Sequence, residues 1–90
     1  MIRVKLVLLD ENLRRVAGGN EVILELDEGS TINDLLKLVS IEYGGEVLSA
    51  LLKAGNSIML NGQSIEFLGG VGTRLSDGDR VAVVPLVAGG

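Results

Sequence analysis

The chain has neither cysteine nor histidine, one proline, one tyrosine, one phenylalanine and no tryptophan among its 90 residues. Each scarcity removes a class of function. Without cysteine there is no disulfide framework, no thiolate nucleophile and no zinc cluster of the usual kind. Without histidine the chain lacks the side chain that titrates near neutral pH, so a self-contained acid-base or metal-dependent enzyme is not expected. Two aromatic residues, Tyr43 and Phe67, make no base-stacking platform. Eight basic residues stand against 12 acidic ones, for a formal charge of -4, which runs against the phosphate neutralisation that duplex binding needs. The apolar start, Ile2 to Leu9, is broken by Arg3 and Lys5, so it reads as neither a signal peptide nor a membrane span. The expected location is the cytoplasm.

What is present fits one small domain. A chain of this size buries about 60 to 65% of the surface its unfolded form exposes, so most of the 47% apolar content must enter a single core. Ile2, Val4, Leu6 and Leu8 alternate with Arg3 and Lys5, the period of a half-buried strand. Glu21 to Leu26 alternates again and reads as the second arm of a long-looped hairpin. Leu13 to Ala17 supply one helical turn in the connection, stopped by Gly18 and Gly19. Ser30 or Thr31 offers a helix cap, and Ile32, Leu35, Leu36, Val39 and Tyr43 recur at helical spacing up to Gly44. Val47, Leu48, Leu51 and Leu52 fit a second short helix. Ile58 to Leu60, the turn Asn61-Gly62 and a return over Ser64 to Phe67 read as a hairpin. Arg80 to Val84 form the last strand and Pro85, which has no amide hydrogen, closes it. This order predicts an α+β fold: a mixed sheet with a helix packed across one face.

Motifs with cofactor chemistry are incomplete. Gly70-Val71-Gly72 starts a dinucleotide fingerprint, yet Leu75 stands where the third glycine is required and no helix follows. Asp77-Gly78-Asp79 lacks the ligand spacing of a calcium loop and reads as a turn. The acids Glu25, Asp27 and Glu28 read as a solvated strand end, so no metal or bound cofactor is expected.

The terminus is the informative feature: Leu86, Val87, Ala88, Gly89 and Gly90 follow Pro85. Extended, five residues reach roughly 17 Å, enough to thread a deep channel in another protein. Glycine at the last two places lets the main chain lie against channel walls and leaves the terminal carbonyl open to attack. An α-carboxylate is ionised at neutral pH and is a poor electrophile. Activation has to come from outside, because nothing in this chain supplies it. Residues 1–85 are thus expected to form the domain and 86–90 a flexible tail.

The stretch from Leu75-Ser76-Asp77-Gly78-Asp79-Arg80-Val81-Ala82 through Pro85 to Val87-Ala88-Gly89-Gly90 resembles the ending of the ubiquitin-like β-grasp sulfur carriers. Within them it is most similar to the molybdopterin synthase small-subunit family, whose ending runs L-x-D-G-D-x-V-A-x-x-P-P-V-x-G-G. Leu13 to Gly18 and Leu60-Asn61-Gly62 match two further turns of that family, and Leu86 departs from it by replacing a second proline. The resemblance implies a ubiquitin-like β-grasp fold covering nearly the whole chain. It further implies a two-enzyme cycle. An adenylating enzyme related to ubiquitin activators uses ATP to activate Gly90, a persulfide sulfur displaces AMP, and the Gly90 thiocarboxylate enters the large synthase subunit to supply dithiolene sulfur. Gly90 is then the reactive group, Gly89 gives clearance, and Pro85, Leu86, Val87 and Ala88 guide the tail. The chain would be a co-substrate and its partners the catalysts. Thiamine-pathway or tRNA-thiolation carriers, and protein modifiers joined to lysines through the same glycine, share this tail chemistry.

A docking surface is expected beside the tail. In a β-grasp the first and last strands are parallel neighbours. Val7, Leu9 and Val84 then share the outward face near the tail, and an apolar patch there suits a partner interface.

Overall fold

The computed structural model describes residues 1–9, 11, 14, 15, 18–53 and 55–85. Strand β1 (Ile2–Leu8) pairs antiparallel with β2 (Glu21–Leu26) from Ile2 opposite Leu26 to Val7 opposite Glu21. Between them Arg14 and Arg15 carry helical backbone, as expected, while Leu13, Val16 and Ala17 lie outside the described residues. The Arg14 Nε donates to the Leu8 carbonyl at 2.8 Å, tying this connection to the end of β1.

Helix α1 (Ile32–Tyr43) begins at Thr31, whose side-chain oxygen accepts from the Asp34 amide; the Asp34 carboxylate accepts in return from the Thr31 amide and hydroxyl. This reciprocal capping box satisfies donors that a helix start otherwise leaves open. Ile32, Leu35, Leu36 and Val39 form the buried face. Gly44, at φ 95, ends the helix and α2 (Gly45–Leu51) starts at once, burying Val47 and Leu51. No helix among the described residues is long and apolar enough to cross a membrane.

The cap makes two predictions. Thr31→Ala should lower unfolding free energy by about 1 kcal/mol, measured by denaturant titration. The hydrogen bonds from Thr31 hold the Asp34 carboxyl below its ordinary value, with Lys37 adding a smaller push in the same direction. A carboxylate whose folded value is depressed contributes stability that is complete above its unfolded value and lost as pH falls through the folded one. Asp34→Asn should therefore flatten the acid limb of the stability profile.

Strand β3 (Asn56–Leu60) turns at Asn61-Gly62, where both residues have positive φ, the conformation of a type I′ hairpin turn. The expected return over Ser64 to Phe67 is much shorter. Only Gln63–Ser64 pair, as β4, and Ile65–Phe67 coil into a 3-10 turn. Ile65 is drawn into the core at 7% exposure, the Ser64 hydroxyl accepts from the Glu66 amide, and Phe67 is left 82% exposed. The apolar alternation there thus belongs to a turn anchored by one side chain.

A second 3-10 turn, Gly70–Gly72, leads to Thr73, whose carbonyl accepts from the Ile32 amide, and Leu75 then donates to Ser30. The glycine stretch is consequently stitched to the start of α1. Strand β5 (Arg80–Pro85) enters the centre of the sheet, parallel to β1 and antiparallel to β3, giving the order β2-β1-β5-β3-β4. This is the expected mixed sheet with a helix packed across one face. Leu6, Leu8, Leu24, Val81 and Val83 meet α1 on one face in a single core.

The Asp77-Gly78-Asp79 segment is a clasp. Asp77 Oδ1 accepts from the Arg3 amide at 2.8 Å and Gly78 donates to the Arg3 carbonyl. Asp79 accepts from the Ser76 amide at 2.7 Å and from the Asn61 side-chain amide at 3.0 Å, while Asn61 Oδ1 accepts from the Arg80 amide. These carboxylates hold β1, β5 and the Asn61-Gly62 turn together. Among the described residues no cluster of three metal-ligating side chains occurs.

Candidate docking face and C-terminal tail

Pairing fixes what the outer face of the sheet presents. Lys5 lies opposite Arg80, Val7 opposite Ala82, and Met59 opposite Ala82 on the other side of β5. Directly paired residues point the same way, so this face divides into two zones. At the start of β1 and β5 it is ionic: Lys5 to Glu21 at 3.5 Å, Arg3 to Glu25 at 3.8 Å and Arg80 to Glu21 at 3.9 Å. These pairs are exposed and each contributes little to stability. At the other end Val7, Leu9, Met59, Ala82 and Val84 line a shallow apolar concavity, with Arg80 and Gly62 at its rim.

The three docking residues named from the sequence are brought together there, with different exposures. Leu9 is 43% exposed and Val84 half-buried, whereas Val7 is 6% exposed and forms the floor. Val7 sits in mid-sheet with Glu21 and Ala82 as its flanking partners, so outward orientation does not make it accessible. Met59 and Ala82 were not among the expected residues. Asn61-Gly62 signalled a hairpin, but nothing local said that β3 pairs with β5.

Pro85 is the last residue of β5, exposed and opposite Asn56. Pro85, the last described residue, thus stands next to Val84 at the apolar end of the face. Leu86, Val87, Ala88, Gly89 and Gly90 lie outside the described residues. With no cysteine or histidine in the chain, the face carries neither a thiol nor an imidazole.

Comparison with known proteins gives a consistent picture. The ThiS family model matches residues 7–90. The chain is 34% identical over 82 residues to small archaeal modifier protein 3 of Haloferax volcanii, covering 86% of this chain and 88% of that protein. It is 36% identical over 84 residues to a putative sulfur carrier protein of Archaeoglobus fulgidus, covering 87% and 96%. Among solved structures, small archaeal modifier protein 1 of Methanosarcina acetivorans superposes with a TM-score of 0.79 at 29% identity, covering 100% of this chain and 98% of that one. A putative molybdopterin converting factor subunit 1 from Pyrococcus furiosus gives 0.74 at 25% identity, covering 97% and 100%. The Amycolatopsis orientalis BexX/CysO complex, a similar protein solved together with a partner, gives 0.74 at 26%, covering 97% and 99%.

Proposed function

We propose that this chain, which belongs to the ThiS family of ubiquitin-like β-grasp proteins, is a sulfur carrier whose working group is the α-carboxylate of Gly90. The observation that carries this reading is the family match, which runs through the last residue of the Gly-Gly ending. Gly90 attacks the α-phosphorus of ATP in an adenylating partner, releasing pyrophosphate and forming an acyl-adenylate. A persulfide on a partner displaces AMP to give an acyl disulfide. A partner thiol then attacks the partner-bound sulfur and breaks the S–S bond, so that the partner is left as a disulfide and the carrier as a Gly90 thiocarboxylate. The catalytic groups and the ATP site belong to the partners, and the cycle runs in the cytoplasm. Gly89 provides clearance, Pro85 to Ala88 guide the tail, and Val84, Leu9 and the Val7 floor seat the partner.

The sulfur is destined for the dithiolene of molybdopterin, with this chain as the small subunit of the synthase. The Pyrococcus furiosus relative supports this destination. The test is reconstitution: chain carrying the thiocarboxylate, mixed with a matching large subunit and the sulfur-free precursor, should yield molybdopterin. No product with an active large subunit would overturn the destination. A second reading, favoured by the modifier among the relatives, joins Gly90 to lysines of target proteins. Gly-Gly remnants on lysines of other proteins, dependent on this chain, would establish it.

A further inference from the structure

The chain has two methionines and no cysteine, so its side-chain sulfur is confined to two thioethers. Met1 is 70% exposed. Met59 lies half-buried among the residues that line the concavity. Across the sheet it stands opposite Ala82 on β5 and Ser64 on β4. Ser57 precedes it on the same face of β3, and the Ser57 hydroxyl donates to the Met59 Sδ at 3.8 Å. A thioether, a weak acceptor, is thus set into an apolar docking face with a hydroxyl aimed at its sulfur.

We propose that Met59 is an oxidation site through which peroxide closes this face to partners. The inference rests on the concavity being the surface that seats them. The Met59 sulfur attacks one oxygen of hydrogen peroxide, and the S–O bond forms as the O–O bond breaks. The other oxygen takes the proton of the transferred one and leaves as water, so the sulfur loses two electrons and the peroxide gains them. The product is a sulfoxide, a polar group where a soft apolar one stood. In the free chain Ser57 is placed to donate to the new oxygen, and water reaches the half-buried position for its remaining lone pair. The domain therefore keeps its fold. A docked partner excludes that water, and a polar group buried without its hydrogen bonds weakens binding. Thiol-dependent reductases restore the thioether, two thiols becoming a disulfide while the oxygen leaves as water, and the face reopens.

The test treats the chain alone with hydrogen peroxide, removes the peroxide and measures binding to the adenylating partner. Peptide masses should show one added oxygen on the fragment that holds Met59, with a melting temperature close to that of the untreated chain. Affinity should fall about tenfold, the scale of one polar group buried unsatisfied. The two methionine sulfoxide reductases, one for each configuration at sulfur, should restore it. Met59→Leu keeps Met1 and a side chain of similar volume, and should bind with its own starting affinity before and after peroxide. Oxidation of Met1 with Met59 untouched would overturn the proposal. So would unfolding of the oxidised chain, a peroxide effect that survives in Met59→Leu, or unchanged affinity of a folded chain oxidised at Met59. In the last case Val84→Asp tells the failures apart. If that variant binds weakly, the concavity seats partners and the oxidation inference alone falls; if it binds normally, the docking reading falls with it.

Discussion

Deleting Gly89 and Gly90 should leave the domain folded and abolish adenylate formation completely. Among the described residues the buried core lies at or before Val83, and β5 closes at Pro85, so the sheet and core are complete without the last two residues. In the proposed cycle the reaction depends on them entirely, because the oxygen that attacks ATP and the carbon attacked afterwards both belong to the Gly90 carboxylate. Adding a single residue after Gly90 should be as damaging. It replaces the reacting carboxylate by an amide and moves the new one onward by about 3.5 Å, well beyond the tolerance of a positioned nucleophile. Pyrophosphate exchange by the adenylating partner reports both variants. Exchange stimulated by the deleted chain as strongly as by the intact one would show that Gly90 is not the activated group.

Val84→Asp should weaken binding to the adenylating partner and to the large subunit by roughly thirtyfold, about 2 kcal/mol, the size of a central interface residue. Val84 is half-buried on the outer face beside Pro85, the last residue of β5, so a carboxylate there remains hydrated in the free chain and is desolvated only in the complex. Its melting temperature should change little. Val7→Asp is a poorer probe, because Val7 is 6% exposed and a carboxylate at that floor position strains the free domain as well. Glu46→Lys, exposed on α2 and not part of the concavity, serves as the surface control and should bind normally. Unchanged affinity of a folded Val84→Asp variant would remove the concavity from the interface.

Where sequence patterns are local, they were readable. The alternation of β1, the cap and apolar face of α1, and the Asn61-Gly62 turn all carry their signal within a few residues. What escaped depends on neighbours distant in the chain. Ser64 to Phe67 alternates like a strand, yet Ile65 is captured by the core and the ladder stops at Ser64. Period 2 assigns Val7 to the outer face correctly but says nothing of what flanks it there. Met59 joins the concavity only because β3 pairs with β5, a topological fact that its own sequence does not encode. The Asp77-Gly78-Asp79 segment is legible as a turn, whereas its clasp on Arg3 and Asn61 is visible only in three dimensions. The site itself divides in the same way. The proposed tail is read from residue identity alone, and the outer face near Pro85 required the sheet order.

The central claim is that sulfur rides on the main-chain carboxylate of Gly90 in a chain with no cysteine. The most direct test is the intact mass of this chain after co-expression with its adenylating and persulfide-supplying partners. A species in which one oxygen is replaced by sulfur, mapped to the C-terminal fragment and absent without the adenylating enzyme, is the predicted result. A chain that keeps its oxygen mass while both partners are shown to be active would contradict it.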